Sequence, residues 1–460
     1  MSPPPTKEAS TVHRRIPRSA RTALTALAAL PLLLTTACTG DGSAAAGAAA
    51  GGSGKGPVHI TFWSALRGSQ EVVDAYNKSQ SRIHVDFQQI PSGNQGGYAK
   101  LSNAARAGNA PDVATLEYPQ VPGFAIDGVA RDITPLVGER LRKKLLPQAL
   151  ALTTFEGRTF SVPLDVEPMV FLYRRDLFER YDIAVPRTWA QFEQAARKIK
   201  RAAPGSRIAT FPADGGTQLA GWAWQAGARW FDTRGGAWTV SMTDEPTRKV
   251  AAYWQRLIDE KLVFVNSVDT QEGSAQVGRG AVFGKLAGAW DAGGTMSSQP
   301  GQKGKWRVAP MPRWDLAHPR VGTHGGSTFA VTKDSRHPEE AMDFIEWQVS
   351  SPESLKARLS SGTSSAYPAA TGLVPVARKA MDTSYFGGQD IYPLFRREAE
   401  RISGQWKWGP RMTATLKTVQ DRLARVGEGQ GTVLDALRAG QRGTMPDLKS
   451  LGLNAREGSR

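Results

Sequence analysis

From Val58 onward, short runs rich in β-branched and aromatic residues alternate with amphipathic helical stripes, and this alternation constrains the fold most. Val58-His59-Ile60-Thr61-Phe62-Trp63 reads as a first strand, followed by a helix that carries Val72, Val73 and Tyr76. Ile83 to Phe87, Asp112 to Leu116, Phe160 to Val162 and Met169 to Tyr173 read as further strands. Thr188-Trp189-Ala190-Gln191, just after Pro186, is a capping box, and Trp189, Phe192, Ala196 and Ile199 then recur at helical spacing. Pro246 opens a helix with Val250, Tyr253, Trp254, Leu257 and Ile258 on one face, and Pro338 opens another through Ala341, Phe344 and Ile345. Leu416, Val419, Leu423 and Val426 stripe a helix near the C-terminus. These stripes are core, and the expected class is α/β.

At 460 residues the chain exceeds one small domain, while a large two-lobed fold consumes that length. Hydrophobic residues make up 40%, with 13 Trp and 16 Phe, enough apolar material for a sizeable core. The single cysteine, Cys38, removes every disulfide framework, CxxC pair and cysteine-rich zinc site. Of the net charge of +16, the +12 that lies outside residues 1–37 is scattered, with no basic stripe interleaved with aromatics, so nucleic acid is not an expected partner. Such a surface favours anionic lipid headgroups.

The N-terminus supplies an address. Arg14, Arg15, Arg18 and Arg21 precede the apolar stretch Thr22 to Ala37, and Cys38 follows at once. A basic region, a short apolar region of about 16 residues and small residues before a cut make a cleaved export signal, since a spanning helix needs roughly 20. Leu34-Thr35-Thr36-Ala37-Cys38 resembles the bacterial lipobox, with Thr35 where a leucine is usual. That resemblance implies a diacylglycerol on Cys38, whose two acyl chains suffice for stable anchoring. Residues 1–37 are the expected signal, and residues 38–57, nearly all Gly, Ala and Ser from Asp41, a flexible tether. The mature domain is therefore expected at the outer face of the cell membrane, lipid-anchored.

Further blocks carry a family likeness. They are Thr61-Phe62-Trp63, Ala110-Pro111-Asp112-Val113, Gly128 through Leu136, Phe155-Glu156-Gly157-Arg158-Thr159-Phe160-Ser161-Val162-Pro163, Phe171 through Phe178 and Pro186-Arg187-Thr188-Trp189. Val282 through Trp290, Val308 through Pro312 and Gly325-Gly326-Ser327-Thr328 continue the series. In this order they resemble bacterial extracellular solute-binding proteins of carbohydrate-uptake ABC transporters, with Arg174 where an asparagine is usual. The resemblance implies a two-lobed, periplasmic-binding-protein-like α/β fold with hinge-crossing strands and ligand in the cleft. The implied division is lobe 1 from 58–166, lobe 2 from 167–315, a return to lobe 1 over 316–380, and a helical segment over 381–460 packing mainly on lobe 2.

A sugar presents an apolar C–H face and a rim of hydroxyls, so its receptor needs flat aromatic rings and planar polar side chains. Candidates at strand ends and loops are Trp63, Glu117, Tyr118, Asp165, Glu167, Trp290 and Asp291. Trp222 and Trp224 join them from Gly221 to Trp238, a Gly/Trp-rich stretch that reads as a loop, and Trp408 from the C-terminal segment. Gly325 and Gly326 would let backbone approach ligand closely. Trp189 and Trp254 are core by their helical stripes, and Trp230 and Trp238 are undecided.

No HExxH, GxSxG, Walker A or dinucleotide-binding fingerprint occurs, and the six histidines lack a ligand spacing, so neither cofactor nor metal is expected. His318 and His324 flank a loop and read as solvated. The expected function is capture of a sugar or oligosaccharide outside the cytoplasm, by a monomer without catalysis, and delivery to a membrane permease driven indirectly by an ATPase. A secreted glycoside hydrolase, with Glu117 and Glu167 as its carboxylates, and a surface adhesin are the alternatives.

Overall fold

The computed structural model describes residues 56–267, 270–362 and 364–458. The strands that frame the cleft are β1 (Val58–Ser64), β2 (Ile83–Gln89), β3 (Val113–Glu117), β4 (Val162–Pro163), β5 (Asp165–Val166), β6 (Met169–Arg174), β7 (Gly284–Gly288), β8 (Trp306–Pro310), β9 (Ser327–Val331) and β10 (Tyr367–Pro368). The helices that matter most are α1 (Ser69–Ser79), α2 (Trp189–Ala202), α3 (Gly216–Ala226), α4 (Glu245–Asp259), α5 (Trp290–Ser298), α6 (Pro352–Ser360), α7 (Met412–Gly427) and α8 (Val433–Ser450).

Two sheets organise the molecule. The first runs β2-β1-β3-β9-β4, with β1 parallel to both neighbours and β9 antiparallel to β3 and β4. Its inward positions Ile60, Phe62, Val85 and Val113 are buried, while His59, Thr61 and Asp86 on the opposite face are exposed, the period-two pattern of a strand with one wet face. The second sheet is antiparallel, β7-β6-β8, and its central strand β6 buries Met169 through Leu172 completely. A strand covered on both faces reads as a continuous apolar run, which is what Met169-Val170-Phe171-Leu172 is.

The local signals of the sequence hold. Thr188 caps α2 with both bonds of a capping box, and Asp244 caps α4 ahead of Pro246. Trp189, Phe192, Ala196 and Ile199 are buried together with Trp254 and Leu257 of α4. Trp222 stacks on Trp254 at 4.1 Å between ring centroids and 22° between planes, and Trp189 meets Trp254 edge-on at 5.8 Å. Trp230 and Trp238 are also buried. In the C-terminal segment, α7 and α8 pack on one another, α8 packs on α4 and α7 on α3.

One reading is corrected here. Gly221 to Trp238 is not a loop: its first residues belong to helix α3, and Phe231–Arg234 pairs antiparallel with Ala237–Val240. Gly221 is small because α3 presses on the chain beside β6; a Cβ there would stand 2.6 Å from the Met169 sulfur and the Thr323 carbonyl oxygen.

The two sheets communicate through three adjacent crossings. Residues 163–169 lead from β4 through β5 to β6, residues 322–327 lead back into β9, and β10 pairs with β5. Met169 N–H donates to the Gly322 carbonyl at 3.0 Å, His324 N–H to the Glu167 carbonyl at 3.1 Å, and Leu164 N–H to the Ser327 carbonyl at 2.9 Å. Ala369 N–H in turn donates to the Leu164 carbonyl at 3.0 Å. These bonds satisfy the backbone of the crossings and bring their side chains to one place.

Candidate functional site

Where the crossings meet, a cavity of about 480 Å³ opens, within the size range of small-ligand sites. Glu117, Asp165, Glu167, Trp290, Gly325, Gly326 and Trp408 line it, so seven of the sequence candidates converge there from five separate stretches of chain.

Trp290 is 39% exposed, one of three large hydrophobic side chains left open among the described residues. It is the first residue of α5 and not a strand end, because Ala289 already has helical backbone angles after β7 stops at Gly288. The first backbone donors of this helix are taken by side chains: Trp290 N–H donates to Glu167 Oε2 at 2.7 Å, and Gly293 N–H to Ser365 Oγ at 2.7 Å. The indole Nε1–H donates to the His324 carbonyl at 2.9 Å, and the imidazole of His324 meets the indole edge-on at 5.7 Å. The ring is thus held at its edge while 39% of the residue stays open, so little rotamer freedom remains to be lost when something packs on it.

The glycines are required by this packing. Gly325 and Gly326 have φ of +92° and +108°, and a Cβ would meet the Trp290 indole at 3.0 Å from the first and the Tyr118 ring at 2.6 Å from the second. Ser327 N–H then donates to Asp165 Oδ1 at 2.7 Å.

Three carboxyl groups ring the cavity, and burial raises the pKa of each. Asp165 is pushed up to about 6, with the Ser327 N–H bond and Arg358 opposing the shift. Glu167, 2% exposed, is pushed well above the usual range, burial outweighing its bonds from the Trp290 and Tyr367 backbones. Glu117 is reachable from the cavity but enclosed by protein behind; burial raises it, and the Tyr98 hydroxyl, donating to its Oε2 at 3.1 Å, pulls it back. Such groups accept hydrogen bonds when ionised and also donate when protonated, which suits a ligand rim of hydroxyls.

Other candidates lie elsewhere. Trp222 and Trp224 are buried in the core; Trp224 stacks on Trp406 at 5.1 Å and its Nε1–H is taken by the Ser403 carbonyl. Neither lines the cavity, because each indole is buried on α3, away from the Thr217 side that reaches it. Trp63 is half-buried beneath the Lys100 ammonium, 4.6 Å from its ring, and does not line the cavity. Tyr118 is buried and acts at one remove, its hydroxyl donating to the Asp165 carbonyl at 2.7 Å. Asp291 is buried in an ion pair with Lys285 at 2.6 Å and faces a neighbouring cavity behind Trp290. Trp408 lines the cavity although only 3% exposed, by one edge, packed on Trp406.

Among the lining residues that the sequence reading missed are His324 and Arg358. His324 is not solvated: its imidazole is enclosed, and burial lowers its pKa to about 4, leaving it neutral at physiological pH. Arg358 reaches the cavity from α6, burial lowering its pKa to about 10. The Gly-Gly step after His324 was a usable signal for the first; nothing local marks the second, which arrives by packing of α6 against α1 and lays its guanidinium over Phe329 of β9.

With this geometry in place, comparison with known proteins is decisive. Residues 64–353 match the family model of the bacterial extracellular solute-binding protein. The chain belongs to this family. Its two-lobed fold is that of solved relatives: the galacto-N-biose-/lacto-N-biose I-binding protein of an ABC transporter from Bifidobacterium longum superposes with a TM-score of 0.77 at 27% identity, covering 87% of this chain and all of that one. An arabinooligosaccharide-binding protein of Bacillus subtilis is 24% identical over 319 residues, spanning 66% of this chain and 72% of its own length. A lactose-binding protein of Rhizobium radiobacter is 28% identical over 200 residues, 42% of this chain and 46% of that protein. Among the described residues no helix is long and apolar enough to cross a membrane.

Proposed function

We propose that the protein captures a sugar or short oligosaccharide in the cavity at the crossings and presents it to an ABC permease, whose ATPase it serves indirectly. The observation that carries this reading is the exposed Trp290, lining one cavity with Glu117, Asp165 and Glu167 where the two sheets meet. Trp290 is assigned the apolar sugar face. Glu117, Asp165 and Glu167 take hydroxyls, Gly325 and Gly326 allow close backbone approach, and Trp408 closes one wall. The named specificities of the relatives support a saccharide over a peptide.

The reading includes no turnover. The hydrolase and adhesin readings are not favoured by a family of transport receptors, and Glu167, tied to the Trp290 backbone, is placed to hold a helix start. A thermal-shift screen against mono- and oligosaccharides tests the whole reading: a true ligand at 100 times its dissociation constant stabilises by about 2.7 kcal/mol and is recovered chemically unchanged. Failure of every saccharide to stabilise, or release of hydrolysis products, overturns it.

We further propose that the protein works as a monomer tethered through lipid on Cys38. That residue, its signal and the tether through Lys55 lie outside the described residues. Cys38→Ala is expected to leave the precursor unprocessed or to release it from the membrane fraction; identical migration and fractionation would remove the anchor.

A further inference from the structure

The register of the first two strands creates a constellation that no sequence spacing announces. β1 and β2 are parallel neighbours with His59 opposite His84, and Asp86 stands two residues further along β2, on the same face. This is the wet face of the first sheet: the three side chains are 61%, 45% and 53% exposed. Asp86 touches both imidazoles, with Oδ2 at 3.0 Å from His59 Nδ1 and Oδ1 at 3.6 Å from His84 Nε2, and the two rings lie 4.9 Å apart.

We propose that His59, His84 and Asp86 form a surface site for one divalent transition-metal ion of the zinc class. One donor atom from each lies within 4.8 Å of the others. Zinc bonds of about 2.0–2.2 Å place tetrahedral donors roughly 3.4 Å apart, so closing the set needs side-chain movement of about an ångström and no change in the backbone. Two imidazoles and a carboxylate form a borderline nitrogen and oxygen set, which selects zinc, nickel or copper over magnesium or calcium. All three ligands stand on paired strands, so the backbone pre-organises them. Bound metal ties β2, the edge strand of its sheet, to β1. The site is independent of the saccharide cavity, none of whose lining residues it shares.

The test is titration of the untagged, EDTA-stripped protein with zinc chloride by calorimetry, with melting temperature as a second readout. One equivalent of zinc is expected to bind and to raise the melting temperature, with EDTA reversing the rise. His84→Ala and, as a more conservative change, His84→Gln are expected to weaken binding at least tenfold, since losing even a hydrogen-bond partner behind a zinc ligand costs about 10–100-fold. Both variants should melt as wild type without zinc and bind saccharide unchanged, because these side chains are exposed and outside the cavity. Absence of saturable zinc binding overturns the site, as does binding that survives both His59→Ala and His84→Ala.

Discussion

Two groups of tryptophans in this protein share a side chain and differ in everything around it. Trp189, Trp222 and Trp254 stack and cross one another in the core, all within 1% of complete burial. Trp290, at the junction of β7 and α5, keeps 39% of its surface open although it is fixed by a hydrogen bond at its nitrogen and a carboxylate at its backbone. In the first group the rings are filled space. In the second, rigidity has been supplied without burial, which is the condition for a ring that waits to be covered by a ligand.

The largest expected effect separates the two groups directly. Trp254→Ala should destabilise the apo protein by about 3–5 kcal/mol, as truncation of a buried Trp does, with unchanged saccharide affinity in the folded fraction. A wild-type melting temperature would remove Trp254 from the core. Trp290→Ala should do the reverse, costing about 2 kcal/mol or more of saccharide binding while the melting temperature moves little. If stability falls and affinity holds, Trp290 belongs with the first group and the cavity needs another platform.

Asp165 and His324 sharpen the comparison through pH. Asp165 titrates near pH 6 when folded and near 3.8 when unfolded, so its contribution to stability is full below pH 3.8 and is lost as pH rises through 6. His324 titrates near pH 4 when folded and near 6.5 when unfolded, so its contribution is present above 6.5 and is lost as pH falls toward 4. The two slopes oppose each other between pH 4 and 6. Asp165→Asn should therefore make apo stability rise more steeply with pH across that window, and His324→Gln should make it fall more steeply, as read from urea midpoints at half-unit steps. Slopes unchanged in both variants would show that neither group is desolvated as the cavity geometry requires.

The smallest effect is expected at Trp63. It lies under Lys100 and outside the cavity, so Trp63→Phe should leave saccharide affinity within about 0.5 kcal/mol of wild type. A tenfold loss would extend the binding surface along β1.

The sequence alone determined what rests on local periodicity and composition. The α/β alternation, the cap at Thr188, the helix start at Pro246, the apolar run of β6 and the stripes that bury Trp189 and Trp254 are written in neighbouring residues, because helix and strand periods act over one or two turns of chain. The candidacy of Glu117, Asp165, Glu167 and Trp290 was legible because each is an aromatic or acidic residue just after an apolar or small-residue run, although Trp290 opens a helix rather than ending a strand. Tertiary structure decided the rest. Whether a tryptophan stacks on a neighbour or faces a cavity depends on what another stretch of chain brings to it, and Trp222 and Trp290 could not be told apart by their own flanks. Arg358 and His324 enter the cavity, and His59 meets His84, only because strand register and helix packing join segments far apart in sequence. Those contacts are made between surfaces, and no one-dimensional spacing records them.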